Sequence, residues 1–253
     1  MWGILDRLFA FYEIGRINKE QKQSFEPETR EHDGKKEFWM CFVPLSVSSD
    51  SIFRKGILPN EGTSAIYTIN SLYMIKPDAD ETLKNLNRLY LDAIKRVKEA
   101  VKKGYSINLI GLSLGNIFAI KVAGDLKRVN NIVSIVRGAK LGSSAWKSAL
   151  TSVVLGKNGN TMKTYEKGVS SYNPISHVSK INAKKVLIRL GAMDKLIPFE
   201  EGKKLAEAFL KRAKKSNLIV DYKVFKLADH CSAMFFYSLE CIVKKYINRR
   251  KDC

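Results

Sequence analysis

Cysteine, histidine and long apolar runs are all scarce in this sequence, and each scarcity removes a class of protein. The four cysteines are Cys41, Cys231, Cys241 and Cys253. None forms a Cys-x-x-Cys pair and their spacing matches no zinc site, so a disulfide scaffold or a metal-built domain is excluded. Reduced thiols in a cytoplasmic protein fit best. No apolar run approaches the roughly 18–20 residues that a membrane-spanning helix needs. Internal repeats and low-complexity tracts are missing too. No cofactor and no metal is expected. Only three histidines are present, His32, His177 and His230, which leaves few candidates for a general base.

What is present is an ordinary globular composition carrying an unusual charge. The chain has 253 residues, 45% of them hydrophobic, enough for one large domain with a well-buried core and little room for a second. Lysine and arginine number 44 against 25 acidic residues, a net charge of +19 that favours anionic partners. The lysines are spread over helix faces and turns instead of gathering in an arm with interleaved aromatics, so no nucleic-acid partner is expected. Peripheral contact with an anionic membrane fits the charge better. It could involve the N-terminus, where Trp2, Leu5, Phe9 and Tyr12 recur at helical spacing. Such a helix either docks on the domain or lies on a membrane surface. The same stretch has Asp6 and Arg7 inside the apolar run and no small-residue cleavage site, so a secretory signal is not expected. The expected organisation is a helix and polar linker over residues 1–37, then one domain over 38–253.

The order of elements predicts the fold class. Phe38 to Val43 is a continuous apolar run stopped by Pro44, as in a strand buried on both faces. Ala65 to Ile69 is a second strand. Leu83, Leu86, Tyr90, Ile94, Val97 and Val101 repeat at three and four residues, which predicts a helix from an N-cap at Asp78 to a C-terminal cap at Gly104. Then follow strand Ile107 to Ile110, helix Asn116 to Val129, strand Ile132 to Val136, strand Lys185 to Leu190, helix Glu201 to Lys215, strand Val220 to Leu227 and a closing helix from about Ser232 to Arg249. This alternation means βαβ crossovers: an α/β fold with a mostly parallel sheet of about six core strands and helices on both faces. Residues 140–176 interrupt the alternation and are expected to form a short cap or lid over the C-terminal edge of the sheet.

The chemistry-bearing motif is Gly111-Leu112-Ser113-Leu114-Gly115, at the exit of an apolar strand and the start of a helix. Ligands of open parallel sheets bind outside the carboxyl ends of the strands, so this serine sits where chemistry is done. Such a turn is too tight for side chains two residues before or after the serine, and its strained backbone lifts the hydroxyl into the cleft. A serine needs a base, and His230 lies just beyond the last strand, in the loop that can reach back over the sheet edge. His177 reads as a cap or surface residue. An acid must orient the imidazole. Asp194, in Gly191-Ala192-Met193-Asp194-Lys195-Leu196-Ile197-Pro198, is the carboxylate at the end of its strand, with Asp229 as the weaker candidate.

The order Ser113, Asp194, His230 resembles that of the α/β-hydrolase superfamily, and Gly191-x-x-Asp194-x-x-Ile197-Pro198 is similar to the acid loop of its esterases and monoacylglycerol lipases. The resemblance covers about Phe38 to Arg249. It implies Ser113 as nucleophile, His230 as base then acid, Asp194 as orienter, one oxyanion N–H from Leu114, and a second from Leu45 or Ser46. It departs in three places. Pro44-Leu45-Ser46 stands where a His-Gly pair is usual, Asp229 where a glycine usually precedes the histidine, and the N-terminal helix where an edge hairpin is usual. The implied activity is hydrolysis of a carboxylic ester, or a thioester, of a small or acyl substrate. The alternatives are a non-catalytic binding protein of the same fold, or a membrane-peripheral hydrolase acting on lipids.

Overall fold

The computed structural model describes residues 23–32, 34–44, 57–58, 62–148, 150–155 and 161–251. The expected helix at Trp2 to Tyr12 and the loop residues Leu45 and Ser46 lie outside them. In chain order the described elements are β1 (Glu28–His32), β2 (Glu37–Pro44), β3 (Gly62–Ile69), α1 (Ser71–Met74), α2 (Ala79–Lys102), β4 (Ser106–Leu112), α3 (Gly115–Gly124) and β5 (Val129–Ile135). Short helices follow, α4 (Leu141–Lys147), α5 (Ser152–Leu155), α6 (Met162–Gly168) and α7 (Pro174–His177). The chain closes with β6 (Ala183–Gly191), α8 (Phe199–Ala213), β7 (Ile219–Phe225) and α9 (His230–Lys251).

The strands form one seven-stranded sheet in the order β1-β3-β2-β4-β5-β6-β7. Every neighbouring pair is parallel except β1 with β3. Strand order reverses between β2 and β4: the chain runs outward from β2 to β3, then crosses back to place β4 on the other side of β2. A crevice at the carboxyl ends of these strands follows from that reversal. Alternation along β2 shows the two faces. Met40 and Phe42 pack into a layer with Leu86, Leu89 and Val97 of α2, Phe118 of α3 and Phe209 of α8. Cys41 and Val43 pack into the opposite layer with Ala233 and Tyr237 of α9.

The helices follow local signals. Asp78 caps α2, its Oδ1 accepting from the N–H groups of Asp80 at 2.7 Å and Glu81 at 3.0 Å. Gly104, at φ 80°, ends the helix in a conformation that favours glycine. Of the predicted apolar face, Leu86, Ile94 and Val97 are buried, while Val101 in the last turn is 47% exposed. The helix α3 is apolar nearly all round, as befits one that is buried on nearly every side.

Two expectations change. The sheet has one strand more than the six expected, because β1 lies in the stretch read as polar linker. Its sequence, Glu-Thr-Arg-Glu-His, pairs on one side only and carries charge where an edge strand needs protection from further pairing. The helix expected from Asn116 to Val129 ends at Gly124, and Val129 opens β5 instead. Among the described residues, no helix is long and apolar enough to cross a membrane.

Candidate active site

The turn from β4 into α3 shows why Gly111 and Gly115 are glycines. A Cβ on Gly111 would lie 2.6 Å from the Cα of Asn116, and one on Gly115 would lie 2.6 Å from the carbonyl carbon of Phe42. Both obstacles are backbone atoms, which cannot swing away. Between them Ser113 has φ 53°, a left-handed conformation rare for a residue with a side chain. Hydrogen bonds hold the strained turn. The Ser113 N–H donates to the Ile135 carbonyl at 3.1 Å. The Asn116 side-chain amide donates to the carbonyls of Ser113, at 3.0 Å, and Ile135, at 2.7 Å. Asn116 is thus a functional support that sequence reasoning missed. The signal was only an asparagine following the motif.

Three residues far apart in sequence meet at this turn. His230 Nε2 lies 2.9 Å from Ser113 Oγ, and His230 Nδ1 lies 2.8 Å from Asp194 Oδ2. His230 is 1% exposed and Asp194 8%, so the pair is shielded while Ser113 is half-buried at the cleft. The other oxygen of Asp194 is also occupied, accepting from the N–H groups of Leu196 and Ile197, each at 2.9 Å. Those two bonds fix the carboxylate plane and point Oδ2 at the imidazole.

Asp229 has a different task. Its Oδ1 accepts from the N–H of Ser232 at 2.8 Å, and its own N–H donates to Ser232 Oγ at 3.1 Å. This reciprocal pair caps α9, so the helix starts at His230 and not near Ser232 as its apolar pattern alone indicated. Asp229 therefore stands before the histidine as a helix cap and makes no hydrogen bond to the imidazole. His177 is buried elsewhere, its Nε2 3.1 Å from the Ser171 carbonyl, and burial lowers its pKa from the ordinary value. His32 lies in β1 at the sheet edge.

Leu114 is the N-cap of α3, and its N–H lies among the unpaired donors of the helix start, beside Ser113. The positive end of the helix dipole lies there too. Leu45 and Ser46, the expected source of a second donor, lie outside the described residues.

The serine and histidine open onto a narrow cleft of about 70 Å³. One wall is apolar, with Ile75, Ile117, Leu196 and Ile197, and the other comes from the segment between β5 and β6, with Leu141, Ser144 and Leu150. The helix α4 in that wall is tied down at its start. The Leu141 N–H donates to Asn173 Oδ1 at 2.8 Å and the Ser143 N–H to Glu166 Oε2 at 2.6 Å. Gly142 is glycine because a Cβ there would press on Glu166.

No protein-family model matches the chain, and no curated protein matches its sequence. Solved structures do match. The chain is similar to a Thermus thermophilus protein at 14% identity and TM-score 0.61, covering 89% of this chain and 96% of that one. It is similar to a metagenome-derived lipolytic enzyme at 11% identity and TM-score 0.54, covering 88% and 97%. It is also similar to acetyl xylan esterase 1 of a Thermoanaerobacterium species, at 15% identity and TM-score 0.54, covering 85% and 79%. At these identities the likeness is one of architecture, and the architecture is the α/β-hydrolase fold.

Proposed function

We propose that this chain is a serine hydrolase that cleaves a carboxylic ester, or a thioester, through an acyl-enzyme on Ser113. The observation that carries the reading is the linked geometry of Ser113, His230 and Asp194, at 2.9 and 2.8 Å, at the mouth of a cleft. His230 Nε2 takes the hydroxyl proton as Ser113 Oγ attacks the carbonyl carbon. The carbonyl electron pair moves to oxygen, where the Leu114 N–H and the start of α3 stabilise it. Loss of one such donor costs roughly 10²–10³ in rate. Asp194 holds Nδ1–H and stabilises the imidazolium. As the tetrahedral adduct collapses, His230 gives its proton to the leaving oxygen or sulfur. Water then enters, loses a proton to His230 and attacks the acyl carbon, and Ser113 recovers its hydrogen.

A fluorophosphonate probe tests this. The protein should be labelled and should hydrolyse short p-nitrophenyl esters, and Ser113→Ala should abolish both. Absence of serine-dependent labelling together with absence of turnover would leave a binding protein on a hydrolase fold.

A further inference from the structure

The residues that line the cleft are uneven in chemistry. Among the described residues, Lys140 and His230 are the titratable ones that line it, and no carboxylate residue does. Asp194 is closed off, with one oxygen on two backbone amides and the other on His230. Among the described residues, the fixed charge at the cleft is therefore a single cation, the exposed Lys140. Lys140 precedes α4 and Ser144 follows one turn later, so the two share a face, and both line the cleft.

Ser144 adds a second, independent observation. Its hydroxyl is buried and has no hydrogen-bond partner among the described residues. Two other hydroxyls of this segment that line the cleft are engaged: Ser148 Oγ accepts from the Leu150 N–H at 3.3 Å, and Thr151 Oγ1 donates to the Ala145 carbonyl at 2.5 Å. The Ser143 hydroxyl, also unpartnered among the described residues, does not line the cleft. A buried donor without an acceptor is costly, and one that faces a ligand cleft can be satisfied by the ligand. Gly138 makes the space, since a Cβ there would collide with Ser144 Oγ. The bonds of Glu166 and Asn173 to the start of α4 hold both residues in place.

We propose that the cleft selects an anionic ester, one carrying a carboxylate or phosphate a few atoms from the scissile carbonyl, with Lys140 supplying the countercharge and Ser144 a hydrogen bond. The inference rests on the hydrolase reading and names its substrate class. It gives Lys140 and Ser144 roles in specificity, with the bond-breaking chemistry left to Ser113 and His230.

The test compares kcat/KM for matched esters in low salt. Neutral p-nitrophenyl butyrate is set against p-nitrophenyl hemisuccinate, with the anion on the acyl side, and against 4-acetoxybenzoate beside phenyl acetate, with the anion on the leaving group. One of the two anionic esters should exceed its neutral partner, and which one does so identifies the side that faces Lys140. Lys140→Met should lower that ratio by about tenfold, the size expected for one charge at partly screened range, and Ser144→Ala should lower it as well. Lys163→Met removes a charge from exposed α6 and should leave the ratio at its original value. High salt should shrink the preference. Turnover of all four esters with no charge preference, or a ratio indifferent to Lys140→Met, overturns this inference and leaves the hydrolase reading intact. If no ester is cleaved and the fluorophosphonate does not label Ser113, the hydrolase reading fails and takes this inference with it.

Discussion

Replacing Asp194 with asparagine changes one atom and should nearly silence the site. The asparagine oxygen is drawn to the side where the Leu196 and Ile197 N–H groups donate, each at 2.9 Å. Its amide nitrogen then faces His230 Nδ1, now 2.8 Å from the carboxylate. Two donors cannot face each other, so Nδ1 must become an acceptor and the ring proton moves to Nε2. That nitrogen lies 2.9 Å from Ser113 Oγ, where it can no longer take the hydroxyl proton. The expected loss is roughly 10⁴ in kcat, or about 5.5 kcal/mol of transition-state stabilisation. The side chains are nearly isosteric, so the melting temperature should change little. Steady-state hydrolysis of p-nitrophenyl butyrate, with a thermal melt on the same sample, reads both quantities. Asp229→Asn is the companion measurement. Asparagine caps a helix as well as aspartate, so that variant should keep near-normal rates. If Asp194→Asn stayed within tenfold of the parent while Asp229→Asn collapsed, the assignment of the acid would be wrong.

Other perturbations bear on the frame around the site. Gly115→Ala places a Cβ 2.6 Å from the Phe42 carbonyl carbon, and the backbone strain should cost roughly 1–3 kcal/mol or more in urea unfolding, with activity lost alongside; an unchanged midpoint contradicts the contact. Arg189, 1% exposed, binds Glu240 of α9 through two bonds of 2.9 Å and Asp221 at 2.8 Å. Arg189→Met should destabilise by roughly 3–5 kcal/mol, because it removes the buried partner of both carboxylates; an unchanged urea midpoint refutes it. Alkaline pH should also unfold the chain. Burial pushes Tyr165 up to about 12 and raises Tyr67, Tyr90 and Tyr172, the first two helped by hydrogen bonds to Asp92 and Asp125. The folded state keeps protons that the unfolded chain releases near pH 10, so this stability is whole below about 10 and lost as pH climbs toward 12. A urea midpoint that stays flat from pH 8 to 12 would count against it.

The parallel sheet was legible because its central strands are buried on both faces and so read as unbroken apolar runs. The elbow was legible because sterics leave so few residue types available at Gly111, Ser113 and Gly115. The edge strand β1 was not legible: it is paired on one side, and its charged residues mimic a linker. The end of α3 was misjudged because buried helix and buried strand share one apolar vocabulary, and Gly124 was the only punctuation before Val129. Asp229 shows a subtler limit. Its spacing to Ser232, three residues on, is a capping pattern, and its place beside His230 gives the same residue a second reading in sequence. Asn116 and the orphan hydroxyl of Ser144 were not legible, since their meaning lies in partners brought near or withheld by the fold.

The approach of Gly115 to Phe42 has a consequence for how a chain of this fold can drift. Phe42 lies two residues before Pro44, where the loop expected to carry the second oxyanion donor begins. The Ser113 turn and the last residues of β2 therefore rest on one shared main-chain abutment. Sequence changes beyond Pro44 leave the height of Ser113 referenced to β2. A chain so built can vary its sequence beyond Pro44 without moving Ser113, because the datum for that position lies upstream, at Phe42.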